Sequence, residues 1–256
     1  MEAFSGQFGA FAVDALAPRP GQEIADVGCG PGTTTVELAR RVQPDGSVTG
    51  VDVSVRMVEA ARARAASAGL DDVRFEVTDP GAGPIGSFDG IHSRFGVMFF
   101  DDPSAAFTNL ARSLRPGGRF AAVVWAELDA NPWIFVPTLF AAGPLGAALT
   151  IPGPGEPGPF SLADPEQTAT LLDSCGFREV EVVRKEGAWT FDEASADDSI
   201  AQMVSVGALG DAWTAADGDA RTAAVEAVRA GCDDFRRDGG WRLPAAALVV
   251  SASVQH

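Results

Sequence analysis

The residues with the clearest chemical meaning are three glycines at alternate positions, Gly28, Gly30 and Gly32, with Asp26 before them and Asp52 after them. Glycines let the backbone approach a ligand closely and adopt φ angles that other residues avoid. An acidic residue about 20 positions after such a turn is placed to accept hydrogen bonds from ribose hydroxyl groups. The spacing therefore predicts a site for a ligand that contains a nucleoside.

The order of the glycines separates this turn from two phosphate-binding turns. A dinucleotide turn has the pattern G-x-G-x-x-G, which rests a pyrophosphate on a helix N-terminus. Here the pattern is G-x-G-x-G, with Pro31 inside it. No Lys followed by Ser or Thr comes after the turn, which excludes a P-loop. The Asp26 carboxylate near the mouth suits an ammonium group rather than a phosphate.

Hydrophobic patterns and capping residues predict the elements that must position this turn. A strand at Glu23–Val27, a helix at Thr33–Val42 and a strand over 47–53 that ends on Asp52 form a βαβ unit. Further strands are predicted over 73–79, 87–93, 120–125, 177–191 and 248–254. Further helices are predicted over 4–16, 54–68, 103–114 and from the cap Asp164 to Gly176.

These motifs together resemble the class I S-adenosylmethionine (SAM)-dependent methyltransferases. Residues 26–32 resemble the first motif of that family, and the acidic end of the third strand, the Phe88-Asp89 pair and residues 114–119 (LRPGGR) follow in the family's order. The resemblance implies a Rossmann-like α/β fold. Its sheet would be seven-stranded and mostly parallel, in the order 3-2-1-4-5-7-6, with helices on both faces and an antiparallel pair at one edge. It also implies SAM as cofactor and S-adenosylhomocysteine as product.

Other motifs resemble the small-molecule, ubiquinone- or menaquinone-type branch of this family. They are residues 93–100 (SRFGVMFF), Asp102-Pro103, Asn131-Pro132-Trp133, residues 157–160 and residues 246–252. The resemblance covers nearly the whole chain and implies methyl transfer to O, N or C of a small, partly apolar acceptor. Relatives usually carry an aromatic segment before the first helix, whereas Met1 stands almost inside it here. Either the lid over the cofactor is shortened or the chain has an alternative start.

The resemblance implies one set of residues for the cofactor. Asp52 would accept ribose hydroxyls, Asp79 the adenine amino group, and Met57 would pack on adenine or belong to the core. Cys29 is expected to be a small packing residue, with a reactive thiol as the other reading. The complete set is Asp26, Gly28, Cys29, Gly30, Gly32, Asp52, Val53, Met57, Asp79, Pro80 and Ser93.

The acceptor and the catalytic step have weaker signals. His92, near the end of the fourth strand, is either a base that takes a proton from an acceptor or a hydrogen-bonded strand residue. It and Ser93 point to opposite faces of the strand, so only one of them can face the donor. Arg94 either orients the acceptor through its guanidinium group or pairs with an acid. Apolar walls are expected from Phe95, Met98, Trp125 and Trp133, or these belong to the core, with Phe100 buried.

Length and composition agree with one α/β domain over residues 1–256. The chain has 256 residues, 46% of them hydrophobic. Two segments, 128–163 and 192–240, fall outside the predicted sheet and are expected to form a cap over the acceptor. The second is alanine-rich and largely helical, whereas the Pro- and Gly-rich residues 151–159 should run extended over the surface.

Charge and cysteine usage exclude several classes of partner. The net charge of −16 argues against nucleic acid, whose phosphates require clustered basic residues. Asn131-Pro132-Trp133 follows the fifth strand, whereas the Asn-Pro-Pro motif of nucleic-acid amino methyltransferases follows the fourth. The three scattered cysteines predict neither zinc nor disulfides, and no metal is expected because Ser93-Arg94 stand where catechol-type enzymes carry metal-binding carboxylates.

Location, assembly and reaction class are expectations of a more general kind. No apolar run near about 18 residues and no signal pattern occurs, so we expect a cytoplasmic protein without membrane contact. The sequence leaves open a monomer or a homodimer. Two other functions stay open: a SAM-fold enzyme for cyclisation or decarboxylation, and a non-catalytic SAM-binding module.

Overall fold

The computed structural model describes residues 2–70, 72–149 and 156–255, and this part of the chain alternates strands with helices. The strands are β1 (Glu23–Val27), β2 (Ser47–Asp52), β3 (Arg74–Val77), β4 (Phe88–Arg94), β5 (Leu114–Trp125), β6 (Arg178–Asp192), β7 (Arg236–Arg237) and β8 (Gly240–Ser253). The α-helices are α1 (Glu2–Leu16), α2 (Thr33–Val42), α3 (Val55–Ser67), α4 (Pro103–Arg112), α5 (Pro132–Ala142), α6 (Pro165–Ser174), α7 (Ala196–Val206), α8 (Gly210–Ala215) and α9 (Gly218–Gly231).

The strands form one sheet in the order β3-β2-β1-β4-β5-β8-β6, with β7 paired to β8. The pairs from β3 to β5 are parallel and β8 runs antiparallel to β5. The predicted mostly parallel sheet is confirmed, and its order differs only by the added β7. That strand was missed because it has two residues and precedes a tight Asp238-Gly239 turn, in which Gly239 has φ +82°. Because the residues after this turn pair with β7, β8 begins at Gly240, whereas the sequence predicted its start at residue 248.

The predicted helix starts follow from capping side chains. Ser54 accepts a hydrogen bond from the Met57 N–H at the start of α3. Asp164 accepts hydrogen bonds from two backbone N–H groups at the start of α6, and Pro165 occupies the first turn. At the end of α3, Gly69 has φ +68° and stops the helix.

The described residues group into two compact units. The first, here called the sheet unit, comprises described residues of 6–125, 153–185 and 247–256. The second, here called the helical unit, comprises described residues of 1–5, 126–152 and 186–246 and contains α5, α7, α8 and α9. In the described part of the chain, no helix combines the length and the apolarity that a membrane span requires.

Helices cover both faces of the sheet in the sheet unit. Ala121 of β5 belongs to one apolar cluster, which contains Val13 of α1 and Leu38 of α2. The neighbouring Phe120 points the other way, as alternation along a strand requires, and its ring lies 5.9 Å from that of Phe107 in α4. The sheet thus presents the carboxyl ends of its parallel strands between two helical layers.

In the helical unit, Asn131 and Trp133 are structural residues. The buried Asn131 amide donates to the carbonyl oxygens of Ala126 and Glu127, and its oxygen accepts from Trp133 Nε1 and the Ala246 N–H. Trp133 also stacks on Trp189, with 5.6 Å between ring centroids.

The two predicted inserts differ in regularity. Residues 192–240 are largely helical, as expected, because they hold α7, α8 and α9. Residues 128–163 contain α5, which the sequence interpretation did not assign. Of the Pro- and Gly-rich segment, residues 151–155 lie outside the described residues, and the described residues 156–163 contain no helix or strand.

Candidate active site

A cleft of about 640 Å³ opens in the sheet unit at the carboxyl ends of β1, β2, β3 and β4. Ligands of open α/β sheets bind at this edge, outside the ends of the strands. The volume lies in the range of small-molecule and cofactor sites. Four short segments, one after each strand, form its walls.

The glycine-rich turn after β1 forms the first wall. Gly28, Gly30 and Gly32 have φ angles of +67°, +52° and +81°, so each adopts the left-handed conformation that favours glycine. Gly28 and Gly30 line the cleft. Gly32 does not, because it packs against Ala61, where a Cβ atom would lie 2.9 Å from the Ala61 Cβ atom.

Asp52, at the tip of β2, is held in one orientation by the turn and by the start of α3. Its Oδ2 atom accepts a hydrogen bond from the Gly30 N–H at 2.9 Å, and its Oδ1 atom accepts one from the Ser54 N–H at 2.9 Å. A carboxylate has about four lone-pair positions, so acceptor capacity remains for a ligand. Val53 and Met57, 66% and 40% exposed, stand beside it on the cleft wall.

The segment after β3 provides a second acid. Asp79 lines the cleft, and its Oδ1 atom accepts a hydrogen bond from the Gly81 N–H at 2.8 Å. The next residue, Pro80, also lines the cleft, and its carbonyl oxygen accepts from Asn109 Nδ2 of α4. These bonds fix the segment that the resemblance assigns to adenine.

The segment after β4 begins with a strained aromatic residue. Phe95 has φ +58°, which is unfavourable for a bulky side chain. Its N–H donates to the Val123 carbonyl oxygen, and its ring stacks on Trp125 with 4.0 Å between centroids. Phe95 lines the cleft, together with Phe99 and the partly exposed Phe100, which was expected to be buried.

The charged side chains among the described residues that line the cleft are all acidic. Four carboxylates line it, those of Asp52, Asp79, Asp101 and Asp102, and the described lining residues include no Lys or Arg. One of them, Asp102, also caps α4. Such walls repel a pyrophosphate and favour a cationic ligand. The last two acids were not singled out as site residues, because acids at a helix start ordinarily serve as caps.

Asp26, His92 and Ser93 do not line the cleft, which corrects three predictions. Asp26 is 1% exposed and accepts hydrogen bonds from Thr35 Oγ1 and His92 Nδ1. His92 is fully buried, so a role as a base in contact with the acceptor is wrong for this structure. Ser93 is also buried and donates to the Val27 carbonyl oxygen. The reason is that β4 continues to Arg94, and only the residues after it reach the cleft.

Three other residues predicted at the site face the interior or a helix. Cys29 is 5% exposed, and its pKa is raised well above the usual range by burial and by the carboxylates of Asp26 and Asp52. The Arg94 side chain lies against Gly9 of α1, where a Cβ atom would be 2.6 Å from the Arg94 Cδ atom. Met98 is 3% exposed and does not line the cleft.

The two predicted tryptophans have different places. Trp125 is buried and carries Phe95 on its ring, so it supports the cleft wall without lining it. Trp133 belongs to the helical unit and packs there against Phe4 and Trp189. The predicted cofactor residues that do line the cleft are Gly28, Gly30, Asp52, Val53, Met57, Asp79 and Pro80.

The sheet order, the glycine turn after β1 and the acid at the tip of β2 define the fold of the class I SAM-dependent methyltransferases. Residues 24–118 match the family model described as a methyltransferase domain. This part of the chain is therefore similar to methyltransferase domains, and the match covers less than half of the chain. The matched residues contain the turn, the three acids predicted for the cofactor and the segment after β4.

Curated relatives are similar to this chain over part of their length. Nocamycin O-methyltransferase of Saccharothrix syringae is 41% identical over 109 residues, which are 42% of this chain and 39% of that protein. An O-methyltransferase of Pyrenophora dematioidea is 36% identical over 151 residues, which are 54% of this chain and 56% of that protein. The chain thus spans only part of the length of these relatives. The solved structure of the YcgJ protein from Bacillus subtilis covers 98% of this chain and 99% of its own, with TM-score 0.63 and 19% identity, and shows the same fold.

Proposed function

We propose that this protein transfers the methyl group of SAM to an O, N or C atom of a small, partly apolar molecule. The observation that carries the proposal is the cleft beside the glycine turn, where Asp52 is fixed in orientation. The described residues that line this cleft supply four carboxylates and no Lys or Arg. SAM carries a sulfonium and an ammonium group but no phosphate. The named relatives are O-methyltransferases, which supports oxygen as one of the acceptor atoms.

The residues of the cleft fit the parts of SAM. Asp52 would accept hydrogen bonds from the ribose hydroxyls, and Asp79 would accept one from the adenine amino group. The exposed faces of Val53 and Met57 offer apolar contact to adenine. Gly30 has open space around the position of a Cβ atom, so its backbone can approach the ligand.

In this proposal, most of the rate enhancement comes from positioning the acceptor atom against the methyl group of SAM. SAM brings an already activated methyl group, so the protein must hold the acceptor atom in line with it. Proximity and orientation can supply roughly 7–11 kcal/mol, whereas a general base adds about 10²–10⁴-fold. With His92 buried, the proposal contains no histidine base. It favours acceptors that ionise easily, such as phenols and enols.

We propose that residues 1–256 act as one methyltransferase domain and that the inserts 128–163 and 192–240 recognise the acceptor. Arg94, Phe95, Met98, Trp125 and Trp133 were the residues expected at the acceptor. Of these, the cleft-lining Phe95 is kept as an acceptor contact, with Trp125 as its support. A cytoplasmic location and a monomer or homodimer complete the proposal.

The test is formation of S-adenosylhomocysteine in step with methylated product. The protein is incubated with SAM and a panel of phenols, enols and amines, and both products are quantified by mass spectrometry. A ratio of one supports methyl transfer. Product without S-adenosylhomocysteine would indicate cyclisation or decarboxylation instead. Tight SAM binding without turnover over the whole panel would indicate a binding module.

A further inference from the structure

We infer that His92 is a positioning residue that acts through Asp26 to set the affinity of the cleft for the cofactor. The inference rests on the proposed function, because SAM is the ligand whose affinity is affected. His92 itself touches neither the cleft nor a ligand in it. Its effect would pass through a hydrogen-bonded network that joins three of the elements around the cleft.

The network is centred on the Asp26 carboxylate. Oδ2 accepts a hydrogen bond from Thr35 Oγ1 at 2.6 Å, and Oδ1 accepts one from His92 Nδ1 at 2.8 Å. A hydroxyl or an imidazole N–H can donate to a carboxylate oxygen, so the His92 tautomer with its hydrogen on Nδ1 fits this contact. All three residues are buried, with exposures of 1%, 0% and 0%. Asp26 belongs to β1, Thr35 to the first turn of α2 and His92 to β4.

Each residue of this network is close in sequence to residues that line the cleft. Asp26 is followed by the lining residues Val27 and Gly28, and Thr35 comes shortly after the glycine turn. His92 comes three residues before Phe95. The pair Asp26–His92 is also the last register pair between β1 and β4. The side-chain bond therefore closes this strand pair at the point where the two chains enter the cleft wall.

Stability alone does not account for this arrangement. Burying a carboxylate is unfavourable, and well-packed apolar residues in the place of buried polar networks are often equally stable or more so. Nε2 of His92 is buried without a hydrogen-bond partner among the described residues, which adds a further unfavourable contribution. The network has a reason if it holds the ends of β1 and β4 in the positions that the cleft requires. Hydrogen bonds from supporting residues orient the ligand-contacting groups of binding sites in the same way.

The experiment compares SAM affinity with stability in two variants of His92. His92→Leu removes the bond to Asp26 and fills the space with apolar atoms. His92→Asn keeps an amide N–H near the position of Nδ1, so it can still donate to Asp26. Calorimetry gives the SAM dissociation constant, and urea unfolding gives the stability. The matched control is Thr168→Val, because Thr168 is another buried residue of the sheet unit whose Oγ1 atom donates a hydrogen bond, there to the Leu162 carbonyl oxygen.

The expected result is a separation of affinity from stability. His92→Leu should fold and raise the SAM dissociation constant by roughly tenfold or more, the lower end of the effect of lost orienting bonds at metal sites. His92→Asn should recover most of the affinity, and Thr168→Val should leave it unchanged. If His92→Leu fails to fold, Thr35→Val and Thr35→Ser give the same comparison from the other side of Asp26.

Two results would overturn the inference. One is wild-type SAM affinity in folded His92→Leu, or in Thr35→Val where that variant replaces it. The other is an equal loss of affinity in the apolar and the hydrogen-bonding variant, which would show that the bond to Asp26 is irrelevant. A wild-type protein that does not bind SAM would instead contradict the proposed function. The two failures are therefore distinguishable.

Discussion

The backbones of Gly28 and Gly96 meet at the carboxyl ends of β1 and β4, so closely that a Cβ atom on Gly28 would lie 2.7 Å from the Gly96 Cα atom. The reverse also holds, because a Cβ atom on Gly96 would lie 2.9 Å from the Gly28 Cα atom. Both residues line the cleft. This contact brings the turn after β1 and the segment after β4 together as adjacent walls of one site.

Gly96→Ala should therefore disturb the site from the β4 side. The added methyl group cannot be accommodated by side-chain movement, since the atoms it meets include the Val27 carbonyl oxygen at 2.8 Å and the Gly28 Cα atom. We expect a loss of SAM affinity of at least roughly tenfold and a destabilisation of about 1–3 kcal/mol. Calorimetry and urea unfolding measure the two effects. Gly83→Ala is the control, because a Cβ atom at Gly83 meets nothing within 4 Å. Equal affinities of the two variants would contradict the close contact.

The strain at Phe95 predicts an unusual order of stabilities. Glycine accepts φ +58° freely, whereas alanine pays about 1 kcal/mol in the left-handed region. Both substitutions remove the stacking on Trp125 equally. Phe95→Gly should therefore be as stable as Phe95→Ala or more stable. This reverses the usual order, in which the glycine variant is the less stable one. Urea unfolding measures both stabilities. A Phe95→Ala variant that is clearly the more stable of the two would exclude the left-handed conformation.

Asp52→Ala should weaken SAM binding by about 1.5–3 kcal/mol, because a charge-assisted hydrogen bond to the ribose is lost. The variant also frees the Gly30 and Ser54 N–H groups, which removes the support of the turn. Calorimetry at fixed salt concentration measures the change. The control is Asp45→Ala, which removes the same charge from an exposed position. If both variants bind SAM like the wild type, Asp52 is not a ribose ligand.

Cys29 should be unreactive in the folded protein. Burial, followed by the charges of Asp26 and Asp52, raises its pKa above the usual 9.0, so the neutral thiol persists at pH 8. The thiolate is the nucleophilic form, and a raised pKa keeps its population low. Iodoacetamide should label Cys29 slowly in native protein and rapidly in urea, with peptide mass spectrometry as the readout. Rapid native labelling that SAM suppresses would place the thiol in the cleft.

The first half of the chain was predicted best because its signals are local. Ser54 as a cap and Gly69 as a stop define α3 without knowledge of the rest of the fold. In contrast, β7 and the start of β8 depend on pairing between residues that have weak strand patterns of their own. The Asp238-Gly239 turn was the available signal, and it lay within a segment interpreted as largely helical.

Site residues whose place follows from the backbone were predicted correctly. Those whose place depends on the direction of a side chain were not. The position of Asp52 follows from the end of a strand. The direction of His92 does not, because both faces of β4 are covered and alternation alone cannot say which residue reaches the cleft. Asp101 and Asp102 were missed as lining acids since one of them also serves as a helix cap.

The most direct test of SAM binding in this cleft compares SAM with NAD as ligands of the wild-type protein. Thermal unfolding of the wild-type protein is followed with each ligand at the same saturating concentration. The same measurements are made on Asp52→Ala, which is the matched variant. We expect a higher Tm with SAM, a smaller increase in Asp52→Ala and no increase with NAD. A higher Tm with NAD and none with SAM would contradict this expectation, because a cleft lined by four carboxylates would then be binding a pyrophosphate.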